Sequence, residues 1–486
     1  MLDESWFALL PAPLKKALQS IPNSNSYFVA FSGGMDSSLL LTLASRYLSE
    51  CRQAKVLAIH VHHGLSEHAD LWQSHCEKVC HCLGVELIVR QVSLNAAKKG
   101  VEEAARAARY NVFEQVLPSG SVLLQGHHLN DQAETVLLRL MRGAGVKGVA
   151  GIPKSRPLKS ALIHRPFLAV SRSELLRVAK KYELEWVEDD SNARCDYDRN
   201  FLRHKIIPKL ETRWERAVSR LAVSADHCRE SAELEEALAN IDLNGMTQNL
   251  FGSALSINGL AQLSLSRQRN AVRYWLQLQG LGFPGEKRFQ RIWSELLMAR
   301  DDASPLIEWS QGAVRRYRNA IFALPLKDIN AQPGFGANDI NICHGAEFAD
   351  SDYIISVNEP RVLFDQDIMG RPYALRIIGG GVTSVKDGSA ERMSCPAKLL
   401  IKRPSSDEQV TVKFRQGGEV FKPEGKAHHR PLKKCFHDSN VPPWLRDSVP
   451  LLYYNACLVA IGNLLVADGF QVESGAEILE ISWGQK

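Results

Sequence analysis

The residues best suited to chemistry in this sequence form the segment Ser32-Gly33-Gly34-Met35-Asp36-Ser37-Ser38, which follows a short apolar run. Two adjacent glycines allow the backbone to approach an anion closely, and the serine hydroxyls add hydrogen-bond donors. A helix that begins in this segment would also offer unpaired N–H groups and the positive end of its dipole. We therefore predict a phosphate-binding loop. The simpler interpretation is an ordinary tight turn with a serine N-cap.

Asp36 favours the phosphate-binding interpretation. A carboxylate next to phosphate groups is unfavourable unless a cation such as Mg²⁺ lies between them, so Asp36 is the predicted metal ligand. The segment is not a Walker A loop, because no Gly-Lys-Ser/Thr ending follows the glycines.

Charged side chains recur at helical spacing farther along the chain. Arg106 and Arg109 are three residues apart, as are Asp131 and Glu134, so each pair would share one helix face. The cationic pair suits phosphate charge, and the acidic pair suits an ammonium group. Two simpler interpretations remain open: Arg106 could pair with Glu102 on the surface, and the acids could complement a helix dipole.

Histidines and cysteines also cluster in the first hundred residues. His62 is interpreted as a polar residue with an internal partner, whereas His63 is better placed to contact a ligand. Residues 75–82 contain three cysteines, but only Cys76 and Cys80 would share a helix face. Because no second ligand pair follows at zinc-finger spacing, we do not predict a zinc site there.

The elements that must position these residues alternate along the first two hundred positions. Apolar runs at 27–31, 56–61, 86–91 and 122–125 predict strands, and the stretches 39–47, 67–83, 102–116 and 132–141 predict helices. The alternation predicts an α/β fold, a doubly wound parallel sheet with helices on both faces. Ligands of such sheets bind beyond the carboxyl ends of the strands, which is where the polar motifs fall.

Composition excludes several classes of protein. A chain of 486 residues predicts about three domains, and 45% hydrophobic with 23% charged residues excludes wholesale disorder. The net charge of +5 permits a nucleic-acid partner without establishing one. Ten cysteines are too few for a disulfide scaffold, and an N-terminus that is acidic before it is apolar is unlike a secretory signal. A cytoplasmic location is therefore expected.

One uncharged stretch raises the question of a membrane. Residues 449–467 carry no charge, but a proline, a glycine and two asparagines interrupt them. Because each half is strand-length rather than a span of about 20 apolar residues, we predict buried β-structure and no membrane partner.

The remaining sequence predicts structure that holds RNA. Basic and aromatic residues interleave at 266–275, 285–289 and 315–318, which suits phosphates and base stacking, although solvated helix faces around a buried aromatic stripe fit equally well. Residues 398–434 contain ten Lys/Arg against four Asp/Glu, and Lys433 and Lys434 lie among them. The expected division is 1–214 α/β, 215–330 helical, 331–397 a linker with a small β element, and 398–486 a β-rich C-terminal domain.

The loop at 32–38 resembles the pyrophosphate loop (PP-loop) of the N-type ATP pyrophosphatases, whose pattern is S-G-G-x-D-S. Enzymes of this superfamily split ATP between the α and β phosphates. The resemblance implies an adenine-nucleotide α-hydrolase-like fold and use of ATP, and it leaves the second substrate open.

Several ordered motifs together resemble the tRNA(Ile)-lysidine synthetases over about residues 27–210. They are V-x-H-G-L at 61–65, E-x-x-A-R-x-x-R-Y at 102–110, G-H-H-L-N-D at 126–131 and Y-x-R-N-x-x-R at 197–203. The run L-K-K…P-P-W-x-R-D at 432–447 is similar to the C-terminal domain of that family. Asn130 departs from the family, which commonly carries Asp there, so Asn130 is given no metal-ligand role.

This resemblance implies adenylation of a wobble cytidine at its C2 oxygen, followed by attack of free lysine on C2 and loss of AMP. It implies ATP and Mg²⁺ as cofactors. The residues expected to bind ATP are Ser32, Gly33, Gly34, Met35, Asp36, Ser37, Ser38 and His63. Those expected to act in catalysis are Asp36, Arg106, Arg109, Asp131 and Glu134. Those expected to contact lysine or tRNA are Asp131, Glu134, Arg203, Lys433, Lys434 and Arg446.

The implied partners are tRNA(Ile) with a CAU anticodon and free L-lysine, and a homodimer is a further expectation. Two alternatives remain at this stage. Another PP-loop enzyme, such as a tRNA thiolase, would share the ATP chemistry but use another nucleophile. A non-enzymatic tRNA-binding protein with a relic loop would bind tRNA without exchanging pyrophosphate.

Overall fold

The computed structural model describes residues 5–62, 64, 68–92, 101–188, 196–248, 254–300, 303–325, 353–355, 361–368, 371–380, 398–405, 407–472 and 477–485. The chain forms two compact units, Met1–Leu234 and Glu235–Lys486.

The first unit is built on a six-stranded sheet of order β3-β2-β1-β4-β6-β5. All neighbouring strands run parallel except the β5–β6 hairpin. The four predicted strands are confirmed, and the hairpin is an addition that the apolar pattern did not predict. The strands are β1 Tyr27–Ala30, β2 Val56–His62, β3 Glu86–Gln91, β4 Val122–Leu124, β5 Ser155–Leu158 and β6 Ala161–His164.

Both faces of this sheet are buried, which explains why its central strands are continuously apolar. Val29 packs with Leu39 and Leu40 in one core cluster. The adjacent Phe28 packs with Phe113 in another, because successive side chains point to opposite faces.

The helices of the first unit agree with the predicted pattern in place, and the PP-loop helix is longer than predicted. They are α1 Ser5–Ala8, α2 Ala12–Gln19, α3 Met35–Arg52, α4 Ala69–Leu83, α5 Val101–Val116, α6 Leu129–Met141, α7 Val146–Val149, α8 Arg172–Lys181, α9 Asp198–Phe201 and α10 Ile207–Arg213. A 3₁₀ turn spans Pro166–Ala169.

Helical structure runs without a break from α9 to α10 through a π-helical turn, Leu202–Ile206. Pro208 lies in the first turn of α10, where its missing N–H costs little. The wider π turn precedes it and keeps the chain helical.

Helix α11, Ala217–Leu243, contains the boundary between the two units. The second unit continues with α12 Ile257–Ala261, α13 Leu265–Leu278, α14 Glu286–Arg291 and a π-helical turn Ile292–Leu297. These helices accompany an antiparallel sheet of order β7-β8-β11-β10-β9. Its strands are β7 Thr247–Gln248, β8 Ala254–Ser256, β9 Leu306–Trp309, β10 Gly312–Tyr317 and β11 Ala320–Pro325.

This sheet changes the interpretation of the basic run at 315–318. The run lies on and just after β10, and Arg316 is buried with 4% exposure, where it donates to the carbonyls of Leu296 and Leu297. Arg316 therefore satisfies backbone acceptors inside the unit instead of facing a nucleic acid.

The C-terminal part is β-rich, as predicted. Its sheets have the orders β12-β16-β19-β20-β21, β13-β14-β22-β15 and β17-β18. Their strands are β12 Tyr353–Ile355, β13 Arg361–Ile368, β14 Arg371–Gly380, β15 Leu399–Lys402, β16 Val410–Lys413, β17 Val420–Phe421, β18 Arg430–Pro431, β19 Leu451–Tyr454, β20 Cys457–Ile461, β21 Leu465–Val466 and β22 Ile478–Gln485. Helix α15, Leu432–Asp438, and a 3₁₀ turn, Pro443–Ser448, lie between strands.

The uncharged stretch 449–467 contains β19, β20 and β21, which confirms the prediction of buried strands. Across the described ranges, no helix combines the length and the apolar character needed to cross a bilayer.

Candidate active site

The PP-loop lies between the end of β1 and the start of α3, and glycine is required in it. Gly33 has φ = +83°, and a Cβ there would come within 3.0 Å of Val187 and 3.1 Å of the Cys76 sulfur. Gly34 is the N-cap of α3, so this helix directs its first N–H groups at the loop. The Ser32 and Ser37 hydroxyls are 3.1 Å apart, which pins the two ends of the loop together.

Asp36 occupies the first turn of α3 and has an incomplete set of partners. Its Oδ1 atom is buried without a hydrogen-bond partner, and its Oδ2 atom lies 3.6 Å from His128 Nε2. Burial raises the pKa of Asp36 above its usual range, although His128 and nearby arginines oppose the shift. A buried carboxylate oxygen without a donor, beside a loop suited to phosphates, fits a Mg²⁺ ligand.

The loop that follows β4 touches the PP-loop helix. A Cβ at Gly126 would lie 3.1 Å from the carbonyl oxygen of Asp36, so only glycine allows this close approach. His128 begins α6 as its N-cap, and a reciprocal capping box joins it to Asp131. The two predicted motifs, S-G-G-x-D-S and G-H-H-L-N-D, are therefore in direct contact.

The acidic pair on α6 faces two arginines of the helical segment 198–206. Arg203 binds Glu134 with two hydrogen bonds, of 2.6 Å and 3.0 Å, and Arg199 binds it at 2.7 Å. Both arginines also reach Asp131, at 3.0 Å and 3.4 Å. Four residues separate the arginines, so they share one helix face.

Asp131, which we expected to hold a lysine ammonium, has partners within the protein for both of its carboxylate oxygens. One of its oxygens accepts from the His128 backbone N–H at 2.9 Å and the other from the two arginines. Burial raises the pKa of Asp131, but His128 and Arg199 lower it more, so the carboxylate is held ionised. Asp131 positions the arginines and the start of α6. Glu134 is fully buried and accepts hydrogen bonds from the same two arginines.

A cavity of about 290 Å³ opens beside this group of charges. Its walls carry cationic, acidic and apolar side chains together: Asn130, Glu134, Arg172, Arg203, His204, Ile207, Pro208 and Glu211. Asn130 accepts a hydrogen bond from the Arg172 N–H at 3.0 Å, so its amide caps the neighbouring helix α8 instead of binding a metal.

The other predicted site residues fall in different places. Arg106 is exposed and Arg109 partly exposed on α5. His63 lies outside the described residues, so its contact with ATP stays a prediction. Lys433 and Lys434 are exposed on α15 of the second unit.

Arg446 lies in the interior of its unit, so its contact with substrate stays a prediction. Its side chain is buried with 7% exposure and donates to the Val441 carbonyl at 3.1 Å and to the Tyr317 hydroxyl at 3.4 Å. The adjacent Trp444 packs against Tyr317 and Phe322. Trp444 therefore packs against the hydrophobic core of this unit.

Histidines and cysteines near the PP-loop take structural roles. His62 Nε2 lies 3.0 Å from Asp70, as expected for a polar residue with an internal partner. Cys76 and Cys80 are fully buried, and burial raises the pKa of the Cys76 thiol to about 12, so neither is a ready thiolate.

Sequence reasoning gave no role to Arg199 and His128, although both lie in the quoted motifs. The signal was available for Arg199, because its spacing of four from Arg203 matches a shared helix face. The role of His128 depends on the approach of two loops that are 90 residues apart, which no local pattern encodes.

Comparison with known proteins covers most of the chain. The PP-loop domain family matches residues 10–210, the TilS substrate binding domain matches residues 255–322, and the TilS substrate C-terminal domain matches residues 410–483. A solved structure of a TilS C-terminal domain is similar over 28% of this chain and 97% of that one, with 16% identity and a TM-score of 0.21.

Curated relatives match over nearly their whole length. The tRNA(Ile)-lysidine synthase of Coxiella burnetii is 33% identical over 465 residues, 95% of this chain and 94% of that protein. Those of Alkalilimnicola ehrlichii and Serratia proteamaculans are 35% and 32% identical, over 97% and 94% of this chain and 97% and 95% of those proteins. Together with the three domain matches, this similarity shows that the chain belongs to the tRNA(Ile)-lysidine synthase family.

Proposed function

We propose that this protein is a ligase that joins free L-lysine to C2 of the wobble cytidine of tRNA(Ile), with conversion of ATP to AMP and diphosphate. The observation that carries the proposal is the contact between the PP-loop and the β4–α6 loop at Gly126. This contact brings Asp36 next to the charged group on α6. The full-length similarity to tRNA(Ile)-lysidine synthases supports the choice of substrates.

The first half of the reaction needs ATP held by its phosphates. The N–H groups at the start of α3 and the Ser32, Ser37 and Ser38 side chains would bind them, with Met35 as the first residue of the helix. Asp36 would hold Mg²⁺ through its unpartnered oxygen, and the ion would neutralise phosphate charge. The cytidine C2 oxygen then attacks the α-phosphate and diphosphate leaves, with Arg109 stabilising phosphate charge.

The second half needs a site for lysine, and the cavity beside Glu134 fits one. Arg203 and Arg172 suit the α-carboxylate, Glu211 suits an ammonium group, and Ile207 would contact the aliphatic chain. When the neutral amine attacks C2, the C2–O bond breaks, and AMP leaves with the former carbonyl oxygen, which adenylation has converted into part of a good leaving group. Holding both reactants at one sheet edge would favour the reaction by fixing their relative positions.

The test is incubation of unmodified tRNA(Ile) with ATP and isotope-labelled lysine, followed by nucleoside mass analysis. We expect the label in a modified cytidine and one diphosphate released for each lysine incorporated. A matched tRNA with uridine at the wobble position should incorporate none. Diphosphate release without label in any nucleoside would contradict the proposal and favour another PP-loop activity.

A further inference from the structure

Three arginines surround Tyr110 of α5, at the sheet edge where the candidate active site lies. The Arg156 guanidinium carbon is 4.5 Å from the centroid of the Tyr110 ring, and that of Arg106 is 5.1 Å from it. Arg165 follows β6 and acts electrostatically on the same tyrosine. We call these four residues the Tyr110 arginine cluster.

Arg165 is the most unusual member of the cluster. It is only 1% exposed, and its side chain donates a hydrogen bond of 2.8 Å to the Pro153 carbonyl. Its Nε–H is buried with no hydrogen-bond partner. An arginine is always charged, so this side chain places a fixed positive charge and an unused donor below the surface.

The positive charges of the cluster have no acidic counterpart in the part of the chain that the structure describes: no carboxylate forms an ion pair with Arg106, Arg156 or Arg165 there. Like charges held this close repel one another, and the repulsion is stronger where water is excluded. The pKa of the Tyr110 phenol responds to the same positive charges. Burial raises the pKa of Tyr110, but Arg106, a hydrogen bond from Gln125 and the two other arginines lower it to about 8. An anion would relieve this strain.

The cluster is accessible and adjoins the charged group on α6. Arg106 is exposed, and Arg156 and Tyr110 are partly exposed, so an anion can reach them from solvent. Arg106 and Arg165, together with Asp131 and Arg199, all act on the pKa of His127. Strand β6 is two places from β1 in the sheet, about 10 Å away, so the cluster is separate from the PP-loop.

We propose that the Tyr110 arginine cluster binds a backbone phosphate of the RNA next to the nucleotide that is modified. The inference rests on the proposed function, which brings an RNA to this edge of the sheet. Arg106 and Arg156 contact the phosphate oxygens, for which planar guanidinium groups are well suited. Tyr110 keeps both side chains in place, and Arg165 raises the positive potential beneath them. Phosphate contacts of this kind fix the register of the RNA.

The test measures binding of unmodified tRNA(Ile) as a function of KCl concentration, with neither ATP nor lysine present. Arg156→Gln should weaken binding about tenfold and lower the slope of log K against log salt by about 0.7 to 0.9, the value for one phosphate contact. Arg156→Lys should keep most of the slope but not the full affinity, because an ammonium cannot stack on the ring in the same way. The matched control is Arg177→Gln on α8, an exposed arginine whose side chain lies 3.9 Å from Glu174.

ATP affinity, measured separately by calorimetry, should be unchanged in all three variants. An unchanged salt slope in Arg156→Gln would overturn the proposal, as would a loss of ATP affinity without a loss of tRNA affinity. Because no step of catalysis enters the binding measurement, its outcome does not depend on whether lysine is the amine that reacts.

Discussion

Glu134 joins α6 to the helical segment 198–206 through its ion pairs with Arg199 and Arg203, and the effect of replacing it follows from its burial. The side chain is 1% exposed and holds Arg199 and Arg203 at 2.6–3.0 Å. In Glu134→Gln, two guanidinium groups that are 29% and 28% exposed lose a buried partner and keep Asp131 as their counter-charge. The cost should lie between that of a surface pair, about 0–1 kcal/mol, and that of a fully buried one, about 3–5 kcal/mol. We expect a loss of about 1–3 kcal/mol in the free energy of unfolding, measured by urea denaturation.

The control for this variant is Glu86→Gln. Glu86 pairs with Lys55 at 2.8 Å, but the two side chains are 57% and 71% exposed, and such surface pairs contribute about 0–1 kcal/mol. Equal losses in the two variants would show that the Glu134 cluster is no stronger than a surface pair.

Asp36 offers a second prediction at the level of a single residue. Asp36→Ala should abolish diphosphate release and leave tRNA binding intact, because the carboxylate is needed for phosphate chemistry only. Asp36→Asn keeps the shape and tests the charge alone. Turnover that survives either change in a diphosphate-release assay would refute the assignment of Asp36.

A third prediction concerns acid stability and His164. This histidine is buried, and burial lowers its pKa to about 4, while the unfolded chain binds a proton near pH 6.5. Below pH 6.5 His164 therefore binds a proton in the unfolded state but not in the folded state, so the free energy of unfolding falls on acidification. Linkage gives about 2 kcal/mol lost between pH 8 and pH 5 from this residue. In His164→Gln the decrease in unfolding free energy over that range should be smaller by about this amount, and an unchanged decrease would contradict the argument.

At the scale of elements, the decisive contact is that between the β4–α6 loop and the start of α3. Gly126→Ala would place a methyl group 3.1 Å from a backbone carbonyl that cannot move without shifting the PP-loop. A displacement of 1 Å at a reacting centre can lower the rate by about a hundredfold. We expect turnover to fall by at least about tenfold while the protein stays folded. The control is Gly145→Ala, where a Cβ would meet nothing within 4 Å, and normal turnover of the Gly126 variant would contradict the expectation.

The sequence predicted elements well where burial and periodicity coincide, as in β1 to β4 and the helices between them. It did not predict which charged side chains lie in the interior and bind backbone groups there. Arg165, Arg316 and Arg446 are all buried and all donate to backbone carbonyls. A guanidinium can satisfy several acceptors at once, so its place in a core depends on which carbonyls the fold leaves unpaired. That information is tertiary, and the composition of a basic run does not contain it.

The candidate site shows the same difference between features that a local sequence pattern encodes and features that depend on tertiary structure. The types and spacing of Asp36, Asp131 and Glu134 singled them out because each motif is local, and the family resemblance added Arg203. The partners of the acids could not be predicted, because Arg199 and Arg203 come from a helix 65 or more residues away in sequence. The domain division and the homodimer stay predictions.

At the scale of the whole molecule, the structure pairs part of the positive charge of the C-terminal segment 398–434 with carboxylates. Five of its ten cations lie within 3.3 Å of carboxylates: Lys398, Arg403, Arg415, Lys422 and Arg430. Lys433 and Lys434 lie side by side on α15, exposed, and no carboxylate in the described part of the chain forms an ion pair with either. Of the five cations outside these ion pairs, Lys433 and Lys434 are the two that are adjacent on one short helix.

Lys433 and Lys434 should therefore contribute more to RNA binding than the paired cations of this segment do. Replacing both by Gln should weaken binding of tRNA(Ile) and lower the slope of log K against log salt by about 1.4 to 1.8, since each phosphate contact contributes roughly 0.7 to 0.9. ATP affinity should not change, because the PP-loop belongs to the other unit. The control is Lys398→Gln with Lys422→Gln, which removes the same formal charge from cations already neutralised by Glu480 and Asp468. If the control lowers the slope as much as the Lys433/Lys434 variant, net charge and not this helix determines the affinity.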